Sequence, residues 1–252
     1  MRLVVVGAGD VGGAVAARWI EGGGEAVGLT RTEFRHEDLR AAGVSPSTAE
    51  PASVIRPDDA VLLSISGSAG QRAAAEVLRG VSCTRAVLTS STGVYGAREG
   101  RLGADSPAGH SDRAQGVLAA EQAFQAWKPE GVVLRLGGLY RRGRGPQEAL
   151  RKRGHAPSGP ADRVLPLVHR DDAATAILAA LGGDHDGLVA NVVVQTPTRG
   201  AWYALACEIL DLPAPDFTPG GAQRTFDVDA LGALLPQPRW PDWREGLREA
   251  LG

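Results

Sequence analysis

The residues best placed by type and spacing to do chemistry open the chain. Val4-Val5-Val6-Gly7-Ala8-Gly9-Asp10-Val11-Gly12 fits a hydrophobic strand, a Gly-x-Gly-x-x-Gly loop and the start of a helix. In that pattern Gly7 allows a tight turn, Gly9 lets the backbone approach a pyrophosphate, and Gly12 lets helix and strand pack closely. The helix start, with Asp10 and Val11 in its first turn, would turn free N–H groups and a positive dipole end toward phosphate. The pattern predicts a Rossmann-type site for a dinucleotide. An Asp or Glu at the end of the second strand would hold the 2′-hydroxyl of NAD. Thr30 stands there instead, and Arg31 follows. An arginine can pair with a 2′-phosphate, so NADP is preferred and NAD stays open. Arg35 could add charge.

The elements that must position this loop follow from apolar patterning. Runs at residues 3–6, 25–30, 60–65, 85–89, 132–136 and 188–194 read as strands. Helical patterns fall at residues 11–20, 70–78, 113–127, 147–153 and 171–181, then at 201–210 and 243–251. Strands apolar throughout and separated by helices predict a doubly wound parallel sheet covered on both faces, an α/β fold. Residues 42–44 read as a short extra strand, and the Pro- and Ser-rich stretch 45–59 as irregular with a helix remnant. Residues 98–111, 141–146 and 155–166 read as loops near the carboxyl edge of the sheet, where ligands bind in open α/β folds. Residues 141–166 and 196–252 would build a small substrate-side lobe within a single domain of 1–252.

Ser90-Ser91-Thr92-Gly93-Val94-Tyr95-Gly96 resembles the end of the fifth long strand in the extended short-chain dehydrogenase/reductases, the class of NAD-dependent epimerases and dehydratases. Other segments agree in the family's order over nearly the whole chain. SDRAQGVLAAE, ending at Glu121, resembles their active-site helix. LRLGGLY, ending at Tyr140, with Gly143 and Gly145, resembles the strand and loop that pass the nicotinamide. Val168-His169-Arg170-Asp171-Asp172-Ala173 resembles their V-H-x-D-D-A segment. Residues 224–229 and Trp243-Arg244-Glu245-Gly246-Leu247 resemble the ending of atypical members. The resemblance implies that Ser91 hydrogen-bonds the reacting carbonyl or alcohol oxygen, with Ser90 and Thr92 close enough to substitute. It places Ser64, Ile65 and Ser66 on the adenosine side and Gly137 and Gly138 beside the nicotinamide. The expected cofactor-binding set is therefore Gly7, Gly9, Asp10, Val11, Gly12, Thr30, Arg31, Ser64, Ile65, Ser66, Ser90, Gly137 and Gly138.

The departure from that family concerns the chemistry. Its members carry Tyr-x-x-x-Lys on the active-site helix, where lysine lowers the tyrosine pKa so that proton and hydride moves couple at neutral pH. Alignment on Glu121 puts Arg113 at the tyrosine position and Val117 at the lysine position. The chain has three tyrosines, Tyr95, Tyr140 and Tyr203, and four residues beyond them stand Glu99, Arg144 and Cys207. Three readings follow. Tyr140 does the proton work, with Arg141, Arg142 and Arg144 near it; or Arg113, which cannot release a proton at ordinary pH, anchors an anion or stabilises an oxyanion; or the protein binds dinucleotide without turnover, as a regulator or redox sensor. The expected catalytic set is Ser91, Arg113 and Tyr140. His169 reads as structural at a helix start, with Asp171 or Asp172 capping; His110, in the loop before the active-site helix, is the better candidate of the two for a proton shuttle, but a role other than shuttle is favoured for it as well.

Composition limits the alternatives. The chain has 252 residues, net charge −2 and a hydrophobic fraction of 43%, which gives no footing for nucleic acid or anionic membrane. The two cysteines, Cys83 and Cys207, lack metal-ligand spacing and read as buried small hydrophobes in a reducing compartment. No metal site and no transmembrane stretch is expected, the location read is cytoplasmic, and a homodimer stays open. No serine is framed as Gly-x-Ser-x-Gly, which argues against a hydrolase. The expected partner is a small polar molecule, turned over by an oxidoreductase, epimerase or dehydratase. The tail offers little room for a nucleotide sugar.

Overall fold

The computed structural model describes residues 1–221 and 223–252. In chain order the elements are β1 (Arg2–Val6), α1 (Asp10–Glu21), β2 (Glu25–Leu29), α2 (His36–Ala41), β3 (Ser45–Ser47), α3 (Pro51–Val54), β4 (Ala60–Leu63), α4 (Ser68–Val77), β5 (Arg85–Ser91), β6 (Gly100–Leu102) and α5 (Asp112–Trp127). There follow β7 (Val132–Leu136), β8 (Gly138–Tyr140), α6 (Pro146–Arg153), β9 (Leu167–His169), α7 (Arg170–Gly182), β10 (Val189–Val192), α8 (Arg199–Ile209), β11 (Arg224–Phe226), α9 (Leu231–Leu234) and α10 (Trp243–Leu251).

Seven strands form one parallel sheet in the order β10-β7-β5-β4-β1-β2-β3. The period-2 alternation of side chains divides each strand between two cores. Leu3 and Val5 of β1, with Ala60 and Leu62 of β4, pack under α1 and α7. Val4, Val6, Val61 and Leu63 pack on the other face with Phe124 and Trp127 of α5. Both faces are covered, so the central strands are apolar throughout. The strand order reverses beside β1: the chain runs outward through β2 and β3, then returns to β4 on its other side. The crevice at the carboxyl ends of β1 and β4 is the switch point where such sheets take ligands.

Two local expectations shift. The extra strand lies at Ser45–Ser47 rather than 42–44, because Val44 is buried against the sheet and the following residues pair with β2. Pro46 is tolerated there because β3 is the sheet's edge. The stretch read as irregular holds this strand as well as the helix remnant, α3. A third apolar cluster joins Tyr140, Leu150, Leu167, Trp202, Cys207 and Leu247. It gathers α6, α8 and α10 beside the sheet's carboxyl edge.

Candidate active site

The dinucleotide loop leaves β1 and enters α1 as its spacing requires. Gly7 has φ +96°, and Gly12 is pressed so close to the strand that a Cβ would lie 2.5 Å from the carbonyl oxygen of Gly7. Gly9 differs. A Cβ there would meet nothing within 4 Å, and Gly9 lines a cleft of about 580 Å³. Gly9 is also the N-cap of α1 and gives no side-chain cap, so the first N–H groups of the helix lack a side-chain acceptor. Open space over a bare backbone at an uncapped helix start fits the pyrophosphate of a dinucleotide.

Asp10 stands at that helix start, where its negative charge would oppose a phosphate. Three arginines surround it. Arg141 Nη2 lies 2.8 Å from Oδ1, Arg144 Nη1 3.1 Å from Oδ2, and Arg170 Nη1 3.7 Å from Oδ1. Burial alone would raise the Asp10 carboxyl, but the hydrogen bond and charge of Arg141, then Arg144 and Arg170, outweigh it and hold the group below its ordinary value. The net charge at the loop is therefore positive, and Arg144 itself lines the cleft.

The cleft runs past Ser64, Ile65 and Ser66 after β4, then Ser90 and Ser91 at the end of β5, to Gly137 and Gly138 after β7. Gly7, Gly12, Thr30 and Arg31 do not line it. Thr30 Oγ1 pairs with Nε2 of buried His36 at 2.8 Å, and Arg31 is exposed just beyond, at the end of β2. A second cavity, of about 620 Å³, is lined by residues that follow β5 and shares Ser91, Arg113, Gly137 and Gly138 with the first.

The hydroxyls at the end of β5 take different parts. Ser90 lines the cleft wall, but its Oγ donates to Glu121 Oε1 at 2.5 Å, within a buried network. Glu121 also receives two hydrogen bonds from Arg135, at 3.0 and 2.8 Å, and Arg135 donates on to Tyr95 Oη. The Ser90 hydroxyl is thus committed to structure, whereas Thr92, though buried, lines the second cavity. Ser91 is half-buried, and its Oγ accepts from Gly93 N–H at 3.0 Å, which leaves its own proton free to be donated. Arg113 is exposed in the first turn of α5, beside Ser91 in both cavities.

Tyr140 requires a correction. It is fully buried in the third cluster and lines neither cavity. Its hydroxyl donates to Gln195 Oε1 at 2.8 Å, and burial pushes its pKa up despite that bond. Arg141 and Arg144 are turned to Asp10, so they do not activate the phenol. His110 is exposed and lines neither cavity, so it is not positioned as a proton shuttle. His169 is the N-cap of α7, and its Nδ1 accepts from Asp171 N–H at 3.2 Å. Asp172 instead accepts from the backbone N–H groups of Arg239 and Trp240, tying the carboxyl-terminal segment to α7.

Several cleft residues carry no sequence signal. Gln71 is buried one turn into α4, and its Nε2 donates to the carbonyls of Ile65 and Thr89. Arg163 and Arg224 line the second cavity from segments distant in sequence. The only signal for Arg224 is its place in the tail segment that resembles atypical members.

No family model matches the chain, and no curated protein matches it. Solved structures do. UDP-glucuronic acid 4-epimerase from Bacillus cereus in complex with NAD superposes with a TM-score of 0.82 at 15% identity, over 100% of this chain and 96% of that one. Human epimerase family protein SDR39U1 (isoform 2) with NADPH gives 0.77 at 18% identity, over 100% and 99%. A conserved protein of unknown function from Silicibacter pomeroyi gives 0.80 at 23%, over 98% and 96%. The resemblance to extended short-chain dehydrogenase/reductases therefore holds at the level of the fold.

Proposed function

We propose that the chain is an atypical extended short-chain dehydrogenase/reductase, an NAD(P)-dependent oxidoreductase, epimerase or dehydratase of a small polar substrate. The observation that carries this reading is the junction of the two cavities at Ser91, Arg113, Gly137 and Gly138. The first cavity begins at the bare Gly9 backbone, as a dinucleotide cleft should, and the second offers space for a substrate on the other side of the same four residues. A bound nicotinamide supplies hydride transfer. Ser91, with its own proton unspent, donates to the reacting oxygen. Arg113 stabilises negative charge developing on that oxygen without giving up a proton, and solvent reaching the open junction supplies the proton that a tyrosine supplies elsewhere. NADP is the preferred cofactor, because Arg31 follows the second strand where an acid would select NAD. NADPH binding by SDR39U1 and NAD binding by the Bacillus epimerase support a nicotinamide dinucleotide in either form.

Fluorescence titration with NADPH and NADH, followed by assay of NADPH oxidation with a panel of small carbonyl compounds, tests the proposal. Saturable binding with NADPH favoured, and turnover lost in Ser91→Ala, is expected. Failure of both cofactors to bind at millimolar concentration would overturn the site. Tight binding without turnover on any carbonyl would overturn the enzyme and leave a dinucleotide-binding regulator.

A further inference from the structure

The second cavity carries positive charge that the cofactor does not require. Arg113, Arg163 and Arg224 line it, and no carboxylate among the described residues does. Arg224 is the informative one. It enters from β11, is half-buried, and is fixed by carbonyls: Nη1 donates to Gly96 at 3.3 Å and Nη2 to Val164 at 3.2 Å. Its guanidinium carbon lies 5.6 Å from the centre of the Phe226 ring. Its Nε is buried with no hydrogen-bond partner among the described residues. Burial, and then the charge of Arg163, pull its pKa below the ordinary arginine value, and no acid offsets them. Arg2 and Arg135, by contrast, have counter-ions in Asp59 and Glu121. A half-buried cation left unpaired, next to a second cation, costs stability unless something else brings the negative charge.

We infer that the second cavity is an anion site, in which Arg224 and Arg163 hold a carboxylate or phosphate group of a compact substrate whose reacting carbon is then presented to Ser91 and Arg113. This rests on the reading of that cavity as the substrate side. Guanidinium forks suit both anions, because each offers several oxygens to parallel N–H donors. Pro160, Leu165 and Pro166 form apolar wall beside the cations, which suits a short carbon skeleton attached to the charge.

The test uses the full chain saturated with NADPH, so that the first cavity is filled. Thermal denaturation is followed while succinate or methyl phosphate is raised at constant ionic strength with chloride. A saturable rise in Tm is expected with one probe or both, and the more effective probe names the anion. Arg163→Gln and Arg224→Met should each weaken that response about tenfold or more, with NADPH affinity unchanged. Should Arg224→Met fail to fold, the exposed Arg163→Gln decides alone. Equal responses in wild type and variants, or no response at tens of millimolar, would overturn the inference. Absence of NADPH binding in the same titrations would instead overturn the dinucleotide reading, with the anion response still measurable in the free protein.

Discussion

A methyl group at Gly12 would sit 2.5 Å from the carbonyl oxygen of Gly7 and 2.8 Å from Cγ1 of Val5, against backbone and strand that cannot give way. At Gly9 the same methyl meets nothing within 4 Å, and φ is negative. One glycine is therefore required by packing and the other is not, and the two should separate experimentally. Gly12→Ala should cost ~1–3 kcal/mol and lower Tm by roughly 2–10 °C. Gly9→Ala should leave Tm of the free protein nearly unchanged while weakening NADPH binding, because its methyl occupies the approach to the helix start. A Tm loss in Gly9→Ala as large as in Gly12→Ala would remove the distinction. Arg31 is exposed and does not line the cleft, so its replacement should change stability by no more than about 0.5 kcal/mol. Arg31→Asp should raise the Kd for NADPH about tenfold, ~1.4 kcal/mol, and leave NADH little affected; equal losses would sink the NADP preference. These roles are legible in spacing. The three-arginine ring around Asp10 is not, because it joins α1 to residues more than a hundred positions away.

The elements of the sheet are held in register at its carboxyl end by one buried polar network. Glu121 of α5 meets Arg135 of β7 and Ser90 of β5, while Tyr95 passes the chain of bonds to Asn191 of β10 at 2.7 Å. Glu121 and Arg135 are 3% and 6% exposed. Removing one partner leaves the other charge buried and unpaired. Glu121→Ala should therefore cost ~3–5 kcal/mol, read as a lower midpoint in urea, and Glu121→Met with Arg135→Met should recover much of it. A single variant as stable as wild type would show that the pair is not holding β5, α5 and β7 together. Element by element, the long strands and helices are legible because their apolar residues are continuous or recur at helical spacing. α2 is not: Leu39 is its one buried apolar side chain, so no period appears. The three-residue pairs β6·β11 and β8·β9 are too short to show alternation.

At the scale of the whole molecule, the doubly wound sheet follows from patterning, but the second cavity does not, because Arg163 and Arg224 reach it only once the carboxyl-terminal segments have folded back. The same folding back buries His169. Its ring lies edge-on to Tyr140 at 5.2 Å and against Trp240 at 5.8 Å, while Nε2 is 3.3 Å from Glu249 of α10. Burial pulls its pKa below the usual 6.5, and the charges of Asp171 and Glu249 only partly oppose this. The unfolded chain thus binds a proton that the folded chain refuses. Stability is full above pH 6.5, and it falls as pH drops from there toward the folded pKa. Asp10, Asp59 and Asp171 act in a separate window. Their carboxyls are held below the usual 3.8, so their contribution is present above that value and is lost only as pH falls through the folded pKa values. His169→Asn keeps an N-cap acceptor for α7 and removes the titration. Urea midpoints across pH should fall below 6.5 in wild type, stay flat in His169→Asn down to the carboxylate range, and fall in both proteins below it. A wild-type slope retained in the variant would assign the loss to another group and leave His169 a packing residue.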